Sequence, residues 1–162
     1  MQRKSHPLLD RLLTPRTAQT SMLILVAVTF LNVFCLLADD STHWFGSLSL
    51  PYDLTVFCAR IAERGSPAAL YIGAAVAFLM IGGCYLLAHL CGKHPVCFLI
   101  FACLLSVDTV ELLVFMDRER IIDLVLHLFF LFELFGTYFY NRQAAPNDLP
   151  EPTVVTDRNT EF

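Results

Sequence analysis

The chain has 162 residues, of which 56% are hydrophobic and only 16% charged, and it carries 14 Phe. Soluble chains average about 25% charged residues, and a single domain of this length cannot bury long apolar runs on every face. The net charge of −4 argues against nucleic-acid binding, which calls for a basic patch or stripe.

Residues 1–20 hold Arg3, Lys4, Arg11 and Arg16, with Leu–Leu pairs at 8–9 and 12–13. They read as a basic cytoplasmic segment, suited to an amphipathic anchor on an anionic leaflet. The first apolar segment, "SMLILVAVTFLNVFCLLA", covers 21–38. A helix needs about 20 mostly apolar residues to span a bilayer. The competing reading is a cleaved signal peptide, whose core runs about 7–15 residues and ends at a small-residue site. This run is longer, and it exits through "LLADD".

The connection from Asp39 to Gly65 is long for a helix bundle. Within it Leu54, Phe57, Cys58 and Ile61 recur at i, i+3, i+4 and i+7. That spacing predicts one apolar face of a short helix over about 52–64. Trp44, Phe45 and Tyr52 suit a membrane–water boundary. The helix is expected at the interface in the first external loop, or capping the bundle; an ordinary exposed loop helix is the plainer alternative.

Three further apolar segments follow, at 68–91, 95–116 and 121–140. Ser66 followed by Pro67 reads as an N-cap with Pro at the first helical position. Gly92 ends that helix and Pro95 opens the next. Only "DRER", 117–120, joins the last two segments, as in a tight helical hairpin. Asp117 is placed to cap the final helix, which Asn141 and Pro146 end. In the second span Gly73 and Ala77 stand in small-xxx-small spacing, which favours close helix packing. Residues 141–162 contain Pro146, Pro150 and Pro152 with almost no periodicity, and a disordered cytoplasmic tail is expected.

Six Cys are present, at 35, 58, 84, 91, 97 and 103, with no CxxC. Inside apolar segments Cys acts as a small hydrophobe. Cys91 and Cys97 bracket a short loop, but their spacing is unlike a zinc motif.

Orientation follows from Lys and Arg near the span ends. Arg3, Lys4, Arg11, Arg16, Lys93 and Arg142 fall on one side; Arg60, Arg64, Arg118 and Arg120 fall on the other. Both termini are therefore expected in the cytoplasm, with the chain multi-pass in the plasma membrane.

The last two spans hold Asp108, Glu111, Asp123, His127 and Glu133. A charged Asp at a helix centre costs about 2.5–3.5 kcal/mol on insertion scales, so such groups face inward and find partners. At a rise of about 1.5 Å per residue, Asn32, Asp108, Glu111 and His127 share one slab of the outer half. Asp108 with Glu111 and Asp123 with His127 are i, i+3 and i, i+4 neighbours. One buried cluster of Asn32, Asp108, Glu111, Asp123 and His127 is expected between the helices. Glu133 lies apart, with His89 and Lys93 as its candidate partners.

Three readings fit such a cluster. It is a hydrogen-bonded layer that holds helices together, or a proton or metal site, or a docking point for another membrane protein. The E-x-x-H motif of di-metal bundles is absent, as are H-E-x-x-H and Gly-rich phosphate loops. In helix count and intramembrane acids the chain is similar to small four-helix membrane isomerases of the emopamil-binding type. The motifs do not line up, so no residue is carried over.

The sequence thus predicts an all-α membrane protein: a four-transmembrane-helix antiparallel bundle with a short interfacial helix in the first external loop. Its expected role is non-enzymatic, structural or accessory, without a cofactor. Its expected partners are the lipid bilayer and a larger membrane protein or further copies of itself, and not nucleic acid. The alternative is proton or metal-ion handling through the Asp/Glu/His cluster.

Overall fold

The computed structural model describes residues 13–38, 43–115 and 120–144. Residues 1–12 of the N-terminal anchor, the Asp117 cap and the tail beyond Ala144 lie outside the described residues, as do the side chains of residues 141–144; the last helix does not end at Asn141 as expected but continues to Ala144. Five helices are described: α1 Pro15–Leu37, α2 Ser49–Glu63, α3 Ala68–Leu90, α4 Val96–Val114 and α5 Ile121–Ala144. Four of them, α1, α3, α4 and α5, are long and apolar enough to cross a membrane.

Capping sets where α1 begins. Thr14 is extended, its hydroxyl accepts the Thr17 N–H at 3.2 Å, and Pro15 takes the first helical position. The helix therefore starts ahead of the apolar run that begins at Ser21. At the start of α3 the expected Ser66 side-chain cap is not made. Pro67 occupies the cap position, and Ser66 contributes its carbonyl, which accepts the Ala69 N–H at 2.9 Å.

The long helices form a ring in which α1 and α4 each pack against both α3 and α5. Its centre is filled by Met22, Leu25, Phe98, Phe101, Leu105 and Leu134, all essentially inaccessible. The outer faces are apolar as well: Tyr71 and Leu79 are each 75% exposed and Val114 70%. Apolar cover on this scale is a liability in water and ordinary against lipid tails.

Helix α2 lies against α3 and also touches α1 and α4. Its apolar face is divided. Pro51 and Thr55 are buried, whereas Phe57 is 62% exposed. The approach to α3 runs through Cys58 and Gly73: a Cβ on Gly73 would stand 2.5 Å from the Cys58 Cβ. Gly73 is what lets the two backbones come this close, and Ala77, one turn on, is fully buried.

Candidate functional site

The segment leading into α2, residues 43–48, has no regular secondary structure, yet Ser47 and Leu48 are buried against the long helices. Buried backbone amides need partners, and polar side chains on the spans supply them. Asn32 of α1 brackets Trp44: its Oδ1 accepts the Trp44 N–H at 2.8 Å, and its Nδ2 donates to the Trp44 carbonyl at 2.8 Å and to Ser47 Oγ at 2.9 Å. Asp123 Oδ1 of α5 accepts the Gly46 N–H at 2.7 Å. Gly46 has φ +80°, and a Cβ there would lie 3.2 Å from a Leu126 methyl; both facts call for glycine.

The start of α2 is satisfied in the same way. A helix leaves its first four N–H groups without internal partners, and Leu48 supplies no capping side chain. Thr29 Oγ1 accepts the Leu48 N–H at 2.8 Å while donating to the Leu25 carbonyl. Asp108 takes the next two, Ser49 N–H at 2.9 Å and Leu50 N–H at 2.7 Å. The fourth position is Pro51, which has no N–H. Asp108 thus acts as a cap from a distant helix, an anion set at the positive end of α2.

His127 completes the arrangement and is fully buried. Its Nε2 lies 2.7 Å from Asp108 Oδ2, and its Nδ1 lies 2.7 Å from the Asp123 carbonyl oxygen one turn earlier. A carbonyl can only accept, so Nδ1 carries a hydrogen. The imidazole is thereby locked in orientation, and one further proton is shared along the Nε2–Asp108 bond.

The expected single cluster is therefore divided. Asp108, Asp123 and His127 are brought together. Asn32 joins the same layer only through the Trp44 backbone and the Ser47 hydroxyl and bonds to none of the acids. Glu111 leaves it: the side chain turns to Asp53 of α2, and its Oε2 has no partner among the described residues. Asp53 pairs with Arg120 through two bonds of 2.5 and 2.6 Å. Spacing placed Asp108 and Glu111 on one helix face. The dipole end of α2 claims the first, and the α2 side chains claim the second.

Glu133 is buried beside Ser21 of α1, with Oε2 unpartnered among the described residues. Neither His89 nor Lys93 is seen to meet it: both are exposed, at the end of α3 and in the turn after it, and α3 is not among the principal neighbours of α5. Among the described residues no three His, Cys, Asp or Glu side chains are gathered in a way that would hold a metal. Thr29, Gly46, Ser47 and Asp53 were not anticipated. The signal was there in Thr29 and Asn32, i, i+3 neighbours on a span, and in the Gly and Ser of "WFGSLSLP".

Beside Asp108 a cavity of about 440 Å³ opens between α3 and α4, with Met80, Cys84 and Leu104 in its largely apolar wall. Comparisons with protein-family models, curated proteins and solved structures find no match to this chain.

Proposed function

We propose that this chain is a non-enzymatic structural or accessory component of a membrane, with its intramembrane acids and histidine serving to hold the first loop inside the bundle. The observation that carries this reading is the commitment of Asp108: two amides and His127 Nε2 occupy its carboxylate. Irregular backbone at membrane depth is tolerated only where protein or water satisfies it, and this layer meets that need. In the same reading the four spans run antiparallel across the plasma membrane, with α2 at the outer interface and both termini cytoplasmic. A larger membrane protein or further copies of the chain cover part of the apolar exterior.

The runner-up is proton handling through Asp108 and His127, favoured by one fact, their shared proton in a buried pair. Reconstitution separates the two. Vesicles holding the purified protein are loaded with a pH dye and given a proton gradient. Dye response equal to that of empty vesicles, together with loss of thermal stability in Asp108→Asn, supports the structural role. Proton flux abolished by Asp108→Asn in a protein that still folds overturns it. Orientation is tested with accessibility tags at Asn147 and in the exposed Gly65–Ser66 turn; labelling of both from the same side would end the four-span arrangement.

A further inference from the structure

The cavity between α3 and α4 has one polar end and an apolar body. Its wall runs from Met80 to Leu87 on α3 and from Phe101 to Asp108 on α4, about 10 Å along each helix. Leu50 and its neighbours in the first loop close the Asp108 end. Leu87 and Phe101 mark the other end, nearer the turn that joins the two helices. Apart from Asp108, none of the described wall residues is charged. The mouth lies on the outer surface of the ring, where Gly83 is exposed and Leu104 and Val107 are 47% and 62% exposed.

The acceptor capacity of Asp108 is not used up. An ionised carboxylate offers about four lone-pair positions. Among the described residues Oδ2 meets two partners, Ser49 N–H and His127 Nε2, and Oδ1 meets one, Leu50 N–H. One position remains on Oδ1, the oxygen bonded to a residue that itself borders the cavity. We infer that this cavity binds a lipid-soluble alcohol, with a single hydroxyl donating to Asp108 Oδ1 and an apolar body lying along α3 and α4. Its volume of about 440 Å³ is that of a small-molecule site, in which an apolar wall is paired with a few placed polar groups. A wholly apolar occupant makes no use of the remaining acceptor position. An ammonium would bring three donors to it and lose its hydration. An acid would set a second carboxylate against the first. The alcohol enters sideways from the lipid, through the mouth beside Gly83. The inference rests on the long helices spanning a membrane, and not on whether the Asp108 layer is structural or carries protons.

The test uses the full chain in phospholipid vesicles with a photoactivatable long-chain alcohol, its crosslinks mapped by peptide mass spectrometry. Saturable labelling is expected around Met80–Leu87 and Phe101–Asp108. Unlabelled 1-dodecanol should displace it, and its methyl ether, which has no proton to donate, should do so at least about tenfold less well. Phe132 of α5, 58% exposed, should be labelled without saturation, as a lipid-facing position. Gly83→Leu should abolish the saturable labelling and leave thermal unfolding unchanged, because a Cβ at Gly83 meets nothing within 4 Å and every bond of Asp108 is kept. Cavity labelling that does not saturate, equal displacement by alcohol and ether, or saturable labelling retained in a folded Gly83→Leu overturns the proposal. The alcohol–ether comparison is made on the wild type and holds whatever the variant does. Loss of labelling at Phe132 as well overturns the spanning reading beneath it, a result distinct from failure at the cavity alone.

Discussion

Asp108 accepts the backbone N–H of Ser49 at 2.9 Å across a sequence separation of 59 residues, so the first turn of α2 is finished by a carboxylate from α4. Replacing Asp108 with Leu leaves two amides and an imidazole without their acceptor. A buried group left unsatisfied costs about 1–3 kcal/mol, and more than one is affected. Asp108→Leu should therefore be among the most destabilising substitutions in the chain. His127→Leu should be milder, because Asp108 keeps both amides. Thermal unfolding in mild detergent measures the order; a variant lacking His127 that melts below the variant lacking Asp108 would contradict it.

Gly46 and Gly65 both have positive φ, +80° and +105°, but only Gly46 is crowded. Alanine at Gly65 meets conformational strain alone. At Gly46 it meets strain, the Leu126 methyl at 3.2 Å, and a displaced N–H bond to Asp123. Strained backbone of this kind costs about 1–3 kcal/mol, so both variants should lose stability and Gly46→Ala should lose more. Equal melting shifts would show that the 44–48 segment gives way easily.

How much of this was legible in the sequence differs by level. The four long apolar helices are plain from hydropathy, because burial in lipid leaves long uniform runs. The nearness of Asp108 and His127 followed from depth and a short hairpin. What pattern could not reveal is that the partners of Asn32, Asp108 and Asp123 are largely backbone groups, which every residue carries and no letter marks. For the same reason Glu111 was grouped wrongly: spacing fixes a face, not which of two neighbours the side chain meets. On α2 the periodicity marked an apolar face but not how it divides: Cys58 meets Gly73 of α3 while Phe57 stays exposed, because beside lipid an apolar side chain gains nothing by turning in.

Close approach of α2 and α3 rests on Gly73. Alanine there would put its Cβ 2.5 Å from the Cβ of Cys58, an atom that cannot move without its backbone. Overpacking costs about 1–3 kcal/mol. Cys58→Ala should not rescue Gly73→Ala, since the Cβ remains, whereas Cys58→Gly should restore part of the loss. Gly136→Ala should be gentler, because its nearest neighbour is a Leu13 methyl at the end of a flexible side chain. A four-variant melting series decides it; rescue by Cys58→Ala would place the obstruction at the sulfur.

Tyr52 titrates beside the Asp53–Arg120 pair. Burial first, and then the Asp53 carboxylate, push its phenol above the ordinary 10.0, with Arg120 opposing. The fold therefore favours the neutral phenol. The stability this contributes is whole below pH 10.0, the unfolded value, and is lost as pH rises through the higher folded value. Alkaline difference spectra of wild type against Tyr52→Phe should show late ionisation at this site, and Asp53→Asn should bring it earlier. An unchanged curve in Asp53→Asn would remove the carboxylate as a cause.

The long reach of the acids also sets an order of events during biosynthesis. Residues 44–50 leave the ribosome with Thr29 and Asn32 already made, but Asp108 and Asp123 follow Ser49 and Gly46 by 59 and 77 residues. Until those arrive, the amides of Gly46, Ser49 and Leu50 have no lasting acceptor. A nascent chain stopped after α3 would hold its apolar helices with the amides of Gly46, Ser49 and Leu50 still lacking the acceptors that Asp108 and Asp123 supply. Completion of the first half waits on the last two spans, and maturation proceeds backward along the chain.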